Sequence, residues 1–111
     1  MDNSLKESLD HANKMKVFNN QLRLLKEKYL ERNIYFTVGH QFTIDLKLIN
    51  YCMTLKNQNK IKDVIMLDDY DLPVRINDLQ SFYDNIMDLY QRNLNAYIVE
   101  YNKLVQDKGR I

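Results

Sequence analysis

Apolar side chains recur in the last third of the chain at Tyr83, Met87, Tyr90, Leu94, Tyr97, Tyr101 and Leu104, in alternating steps of four and three residues. This spacing predicts a helix from Asp78 to about Lys108 with an apolar seam that needs a partner surface. Four of the seven seam positions are tyrosines. Their hydroxyls need a hydrogen-bond partner or water once buried, so the seam is not that of a dry leucine zipper. A second stripe, Phe82, Ile86 and Leu89, flanks the first half of the seam and assigns that half to the domain's own core. The second half, Leu94 to Leu104, is left as a contact surface toward the first helix or another subunit. Asn77, with Gln80 three residues on, is the expected helix cap, and Gly109 the expected stop.

Residues 4–32 contain neither Gly nor Pro and predict another helix. Leu5, Leu9 and Ala12 form one stripe, and Met15, Phe18, Leu22, Leu25 and Tyr29 another. The three-residue step from Ala12 to Met15 shifts the phase between them. The first dozen residues are therefore expected to be held less firmly than the rest of the helix, or to meet a different partner. Met15, Phe18, Leu22 and Leu25, together with Leu94, Tyr97, Tyr101 and Leu104, are the candidate protein-interface residues.

Between the helices, the β-branched and aromatic run from Ile34 to Ile44 is interrupted by Gly39-His40, which predicts a hairpin with a two-residue type II′ turn. That turn sets Tyr35 opposite Ile44 and Thr37 opposite Phe42. A short helix is expected from about Asp45 to Lys56, with Leu46, Ile49, Cys52 and Met53 facing inward, followed by a polar turn over residues 57–60. Val64 to Leu67 and Val74 to Ile76 read as a second strand pair around the loop Asp68-Asp69-Tyr70-Asp71-Leu72-Pro73. The fold class is α+β: long N- and C-terminal helices, a short middle helix, and two β-hairpins forming a small antiparallel sheet. The chain reads as a single small domain, residues 1–33 being a helical arm and 34–111 a hairpin-helix-hairpin-helix body.

Composition narrows the function classes. Sixteen basic and fifteen acidic residues give a net charge of +1, which supplies no field for gripping nucleic acid or an anionic membrane. A single cysteine, Cys52, allows no intrachain disulfide and no thiolate metal cluster, and it is expected to pack as a small apolar group. Nothing approaches the roughly 18 uninterrupted apolar residues of a membrane span, and the start lacks a secretory apolar core, so a reducing cytoplasm, or a particle assembled there, is the expected setting. Asp68, Asp69 and Asp71 offer oxygen ligands for Ca²⁺, but without the turn glycine and closing glutamate of an EF-hand they read as a solvated turn. His40 reads as an exposed turn residue. His11 lacks a partner at metal-ligand spacing, although threefold assembly would bring its copies together on an axis. No phosphate-cradling glycine loop and no activated nucleophile emerge. No catalytic, cofactor-binding or metal-binding residue is assigned and no cofactor is expected, so the chain is read as a non-enzyme.

One further pattern spans residues 25–105. Tyr35-Phe36, Gly39-His40-Gln41-Phe42 with Asp45, Asp71-Leu72-Pro73-Val74-Arg75-Ile76, then Leu79 and the run to Tyr101 resemble a domain family of unknown function found in tail, tail-fibre and baseplate-associated proteins of tailed bacteriophages. Two positions depart from it: Leu67 or a neighbour stands where such domains tend to carry tryptophan, and Asn77 replaces the more usual threonine cap. The family offers no catalytic residues to carry over. The resemblance implies a virion tail component assembled in the bacterial host cytoplasm. Its partners would be itself, as a homo-oligomer such as a trimer, and other phage tail proteins, with no nucleic acid, membrane or small-molecule substrate. A tail-fibre assembly chaperone and a small cytoplasmic nucleic-acid-binding regulator are the alternatives.

Overall fold

The structure is a computed structural model and describes the backbone of residues 3–109 and the side chains of 4–107. Its elements run α1 (Asn3–Arg32), β1 (Ile34–Thr37), β2 (His40–Thr43), α2 (Leu46–Asn57), β3 (Lys62–Leu67), β4 (Pro73–Asp78) and α3 (Leu79–Gly109), an α+β fold. The strands form two separate two-stranded antiparallel sheets, β1–β2 and β3–β4, rather than one joined sheet. The chain divides into two compact units: α1 up to Leu30 with α3 from Leu94 onward, and Glu31 to Asn93. An arm of residues 1–33 therefore omits the closing part of α3. Among the described residues, no helix is long and apolar enough to cross a membrane.

The unit from Glu31 to Asn93 holds the core. Phe42 and Ile44, Ile49, Cys52 and Leu55 of α2, Met66, Val74 and Ile76, and Leu79, Phe82 and Ile86 of α3 are buried together. Phe82 is the ring at the centre, meeting Tyr35 at 5.7 Å and Phe42 at 5.2 Å, both edge to face. Such aromatic pairs add about 0.5–1.5 kcal/mol each beyond the area they bury. Tyr83, Met87, Leu89 and Tyr90 pack partly buried around this cluster, so the deepest stripe of α3 is Leu79, Phe82 and Ile86 rather than the heptad seam beside it.

The first hairpin differs from the expected register by one residue. Its loop is Val38-Gly39, with φ of 48° and 78°, and Tyr35 pairs with Phe42 while Thr37 pairs with His40. Positive φ at both loop positions is the geometry of a type I′ turn, whose twist matches that of the strands. Placing Phe42 opposite Tyr35 puts both rings against Phe82, and this burial offsets the strain of a β-branched Val38 in the left-handed region. Val38 itself is 90 % exposed.

Helix α2 starts at Leu46 because Asp45 caps it, its carboxylate accepting from Leu48 N at 2.9 Å. It ends in a Schellman turn: Asn59, at φ 59°, donates to Lys56 O, and Lys60 N reaches Leu55 O at 2.9 Å. The inward face is Ile49, Cys52 and Leu55. Leu46 and Met53, expected inside, are exposed, because the buried stripe steps by three residues and leaves them on its flanks. The cap of α3 is likewise Asp78 rather than Asn77. Its carboxylate accepts from Ser81 N at 3.2 Å and Ser81 Oγ at 3.0 Å, and these bonds hold it below the usual carboxylate range. At the other end, Gly109, the expected stop, is the last residue of α3 that the structure describes.

Candidate functional site

Large apolar and aromatic positions of α1 and α3 converge in the unit formed by α1 up to Leu30 and α3 from Leu94. The Tyr29 and Tyr97 rings meet edge to face at 4.7 Å, and Lys28 Nζ donates to Glu100 Oε1 at 3.3 Å. Farther along, Val17 and Phe18 share a groove with Leu104 and Asp107. Residues early in α1 thus lie beside residues late in α3, so the two helices are antiparallel. The exposed Lys28–Glu100 pair contributes at most about 1 kcal/mol, which leaves ring and apolar packing to hold the helices together.

The eight candidate interface residues fall on this pairing. Leu25 is buried, Met15, Phe18, Leu22, Leu94, Tyr97 and Leu104 are half-buried, and Tyr101 is 37 % exposed. The two stripes read separately from the sequence are brought side by side, which no single-helix periodicity indicates. A groove of about 450 Å³ remains open beside the pair, lined by Leu22, Lys26, Tyr29, Leu94, Tyr97, Ile98 and Tyr101. Ile98 in this groove is 50 % exposed, and elsewhere on the two helices Val17, Leu24, Leu30, Val99 and Val105 are also exposed. One helix laid on one helix covers a single stripe of each, and both helices carry apolar residues beyond that stripe. Helix α1 continues unbroken through the phase shift at Ala12–Met15, and every side chain from Ser4 to Lys14 is exposed, Leu5 and Leu9 included.

In the acidic loop between β3 and β4, Asp69 and Asp71 are exposed as expected of a solvated turn, but Asp68 is not. Asp68 is buried at 6 % exposure, and its Oδ1 accepts from Tyr70 N at 2.8 Å and Leu72 N at 2.9 Å. Its Oδ2 lies 2.7 Å from His40 Nδ1, so His40 is half-buried rather than a free turn residue. The His40 hydrogen bond, followed by those from the Leu72 and Tyr70 amides, lowers the Asp68 carboxyl against the opposing effect of burial. Asp69 reaches the same hairpin: its carboxylate accepts from Thr43 N, Thr43 Oγ1 and Gln41 Nε2, and its N–H donates to Gln41 O at 2.8 Å. These two carboxylates tie the otherwise separate sheets together. The only sequence signal for this was the Asp-x-Tyr-x-Leu spacing of an Asx turn; the partners lie 26 to 29 positions away.

Cys52 is fully buried, and burial pushes its thiol up to about 11 against the pull of the Lys56 charge. It stays protonated at neutral pH and packs as an apolar group. His11 sits on the exposed part of α1. Among the described residues, no three of His, Cys, Asp or Glu come together as metal ligands. No family model, curated protein or solved structure matches the chain.

Proposed function

We propose that this chain is a non-enzymatic structural component of a bacteriophage tail, baseplate or tail fibre, working through protein–protein contacts as a homo-oligomer that also docks on neighbouring tail proteins. The observation that carries the contact role is the antiparallel α1–α3 pair, which leaves Ile98 and Tyr101 exposed in a tyrosine-lined groove. Exposed apolar side chains such as those lining this groove favour association with further helices, because each buried Å² of apolar surface contributes roughly 25 cal/mol. The tyrosine hydroxyls suit a surface that is wet before assembly and covered after it. Copies of the same chain are the simplest occupants, since they bring the same stripe. The phage setting is supported by the resemblance of residues 25–105 to tail-associated domains.

Mass spectrometry of purified tailed-phage particles from a host carrying this gene tests the reading. Presence at a stoichiometric, symmetric copy number is expected. Absence from the particle overturns the structural role in favour of an assembly chaperone, and DNA binding with a steep salt dependence favours a regulator. Light scattering on the purified chain tests self-association separately: an oligomer is expected, and a strict monomer at high concentration removes that part of the proposal.

A further inference from the structure

A second interaction surface lies in the unit from Glu31 to Asn93, along the outer edge of β3, and does not depend on the helix pair. Pro73 has no N–H and stands opposite Leu67, while Asp68 N donates to Leu72 O at 3.0 Å. Leu67–Pro73 is therefore a non-hydrogen-bonded pair. The alternation of an antiparallel ladder then makes Met66–Val74 and Val64–Ile76 the bonded pairs, and turns the backbone N–H and C=O of Ile65 and Leu67 away from β4. The edge of β2 is different. Its Gln41 C=O and Thr43 N–H are taken up by Asp69, whereas among the described residues the outward groups of Ile65 and Leu67 have no such cover.

A groove of about 670 Å³ follows this edge, between residues 65–67 and the face of α2 that carries Lys47, Tyr51 and Thr54. No β4 residue lines it, and consecutive residues of β3 from both its faces do, so the strand edge itself forms one wall. Ile65 is 49 %, Leu67 60 % and Tyr51 47 % exposed. Asp45, Asp69 and Asp71 are exposed along the rim, and Lys47 is the one cation among the described lining residues. In a chain whose net charge is +1, this is a local concentration of negative charge.

We propose that this groove binds an extended, basic segment of a partner protein as a third strand on β3. The partner's backbone would pair with Ile65 and Leu67, an apolar side chain would lie against Tyr51, and a Lys or Arg would meet the rim aspartates. An open strand edge supplies affinity through main-chain hydrogen bonds, and the flanking side chains supply selection. The charge makes the selection here: a basic segment is attracted and an acidic one repelled.

The test is fluorescence-anisotropy titration of the full chain with a labelled alternating peptide, KVKVTVKVK, and its acidic counterpart, EVEVTVEVE. The basic peptide is expected to bind at least about tenfold more tightly, with salt weakening it. Only alternate amides of an added strand face the edge, so N-methylating one alternate set should abolish binding and methylating the other should leave it intact. Asp71→Asn, which removes the charge and still suits the left-handed φ of 60° at this position, should weaken the basic peptide without changing the thermal melt, and amide shift changes should concentrate at residues 47–54 and 65–71. Equal binding of the two peptides, absence of binding by either, equal loss from both methylated sets, or shifts confined to α1 and the end of α3 would overturn the proposal. A dimer abolished by Ile65→Lys would instead place a second copy on this edge and overturn the partner assignment.

Discussion

His40 Nδ1 and Asp68 Oδ2 meet at 2.7 Å, joining the tip of the β1–β2 hairpin to the turn that precedes β4. The folded chain therefore holds the Asp68 carboxyl ionised more strongly than the unfolded chain does. A group depressed on folding stabilises fully above its unfolded value, for aspartate about 3.9, and loses that contribution as pH falls through the folded value. Stability is expected to be level above that range and to fall on further acidification, as followed by urea unfolding at stepped pH. Asp78 is depressed in the same direction, so the Asp68→Asn variant should lose part of the slope and Asp68→Asn with Asp78→Asn more of it. An unchanged slope in the single variant would show that the His40 contact is not kept in solution.

Val38 occupies the left-handed region at φ 48° with its side chain 90 % exposed. A β-branched residue there is strained by about 1–2 kcal/mol, which the ring packing across the hairpin offsets but the exposed Val38 side chain itself does nothing to relieve. Val38→Asn, which creates the favoured Asn-Gly type I′ turn, should stabilise the chain by about 1 kcal/mol in equilibrium unfolding. Loss of stability would show that the side chain is engaged in solution.

How the residues could be read before folding follows the range of their interactions. Both long helices, the Gly39 hairpin and the strand pair around residues 68–72 are encoded locally, in periodicity and turn chemistry, and they are present, although β4 starts at Pro73, which reads from the sequence as the end of the loop. The hairpin register was set instead by Phe42 reaching Phe82, forty residues away, and a preference for Gly at the first loop position gives no sign of that. Asp68 looked solvated because a carboxylate in an Asp-rich turn has no local reason for burial, and its partner His40 lies 28 positions upstream. The interface candidates were legible as two stripes, but their mutual pairing was not, because periodicity marks the face of a helix without naming what covers it.

Asn93 is buried, and its Nδ2 donates to Arg32 O and to Asn33 Oδ1, both at 2.8 Å. Asn93→Ala leaves the Arg32 carbonyl and the buried Asn33 amide without these bonds, for an expected loss of about 1–3 kcal/mol. Equilibrium denaturation reads it directly. A change within about 0.5 kcal/mol would mean that water replaces the lost donor.

Tyr97 and Tyr101 should respond differently to substitution. Tyr97 packs on Tyr29 inside the helix pair, so Tyr97→Ala should lower the melting temperature. Tyr101 faces the open groove with Ile98, so Tyr101→Ala with Ile98→Ala should reduce oligomer size in sedimentation while leaving the melt close to wild type. If the second variant unfolds the chain as readily as the first, the whole seam is internal and the assembly surface lies elsewhere.

The Asp69 clasp also bears on the order in which this chain folds. Each strand ladder closes across a short loop, two residues between β1 and β2 and five between β3 and β4, whereas Asp69 reaches Thr43 across 26 positions. Closing the longer loop costs more chain entropy, which favours hairpins forming before the clasp. Until it closes, the outward N–H and C=O groups of β2 form an open edge of the kind that pairs with other chains. The side chain that joins the two hairpins is therefore also the one that hides this edge, making its docking the folding step that guards against aggregation.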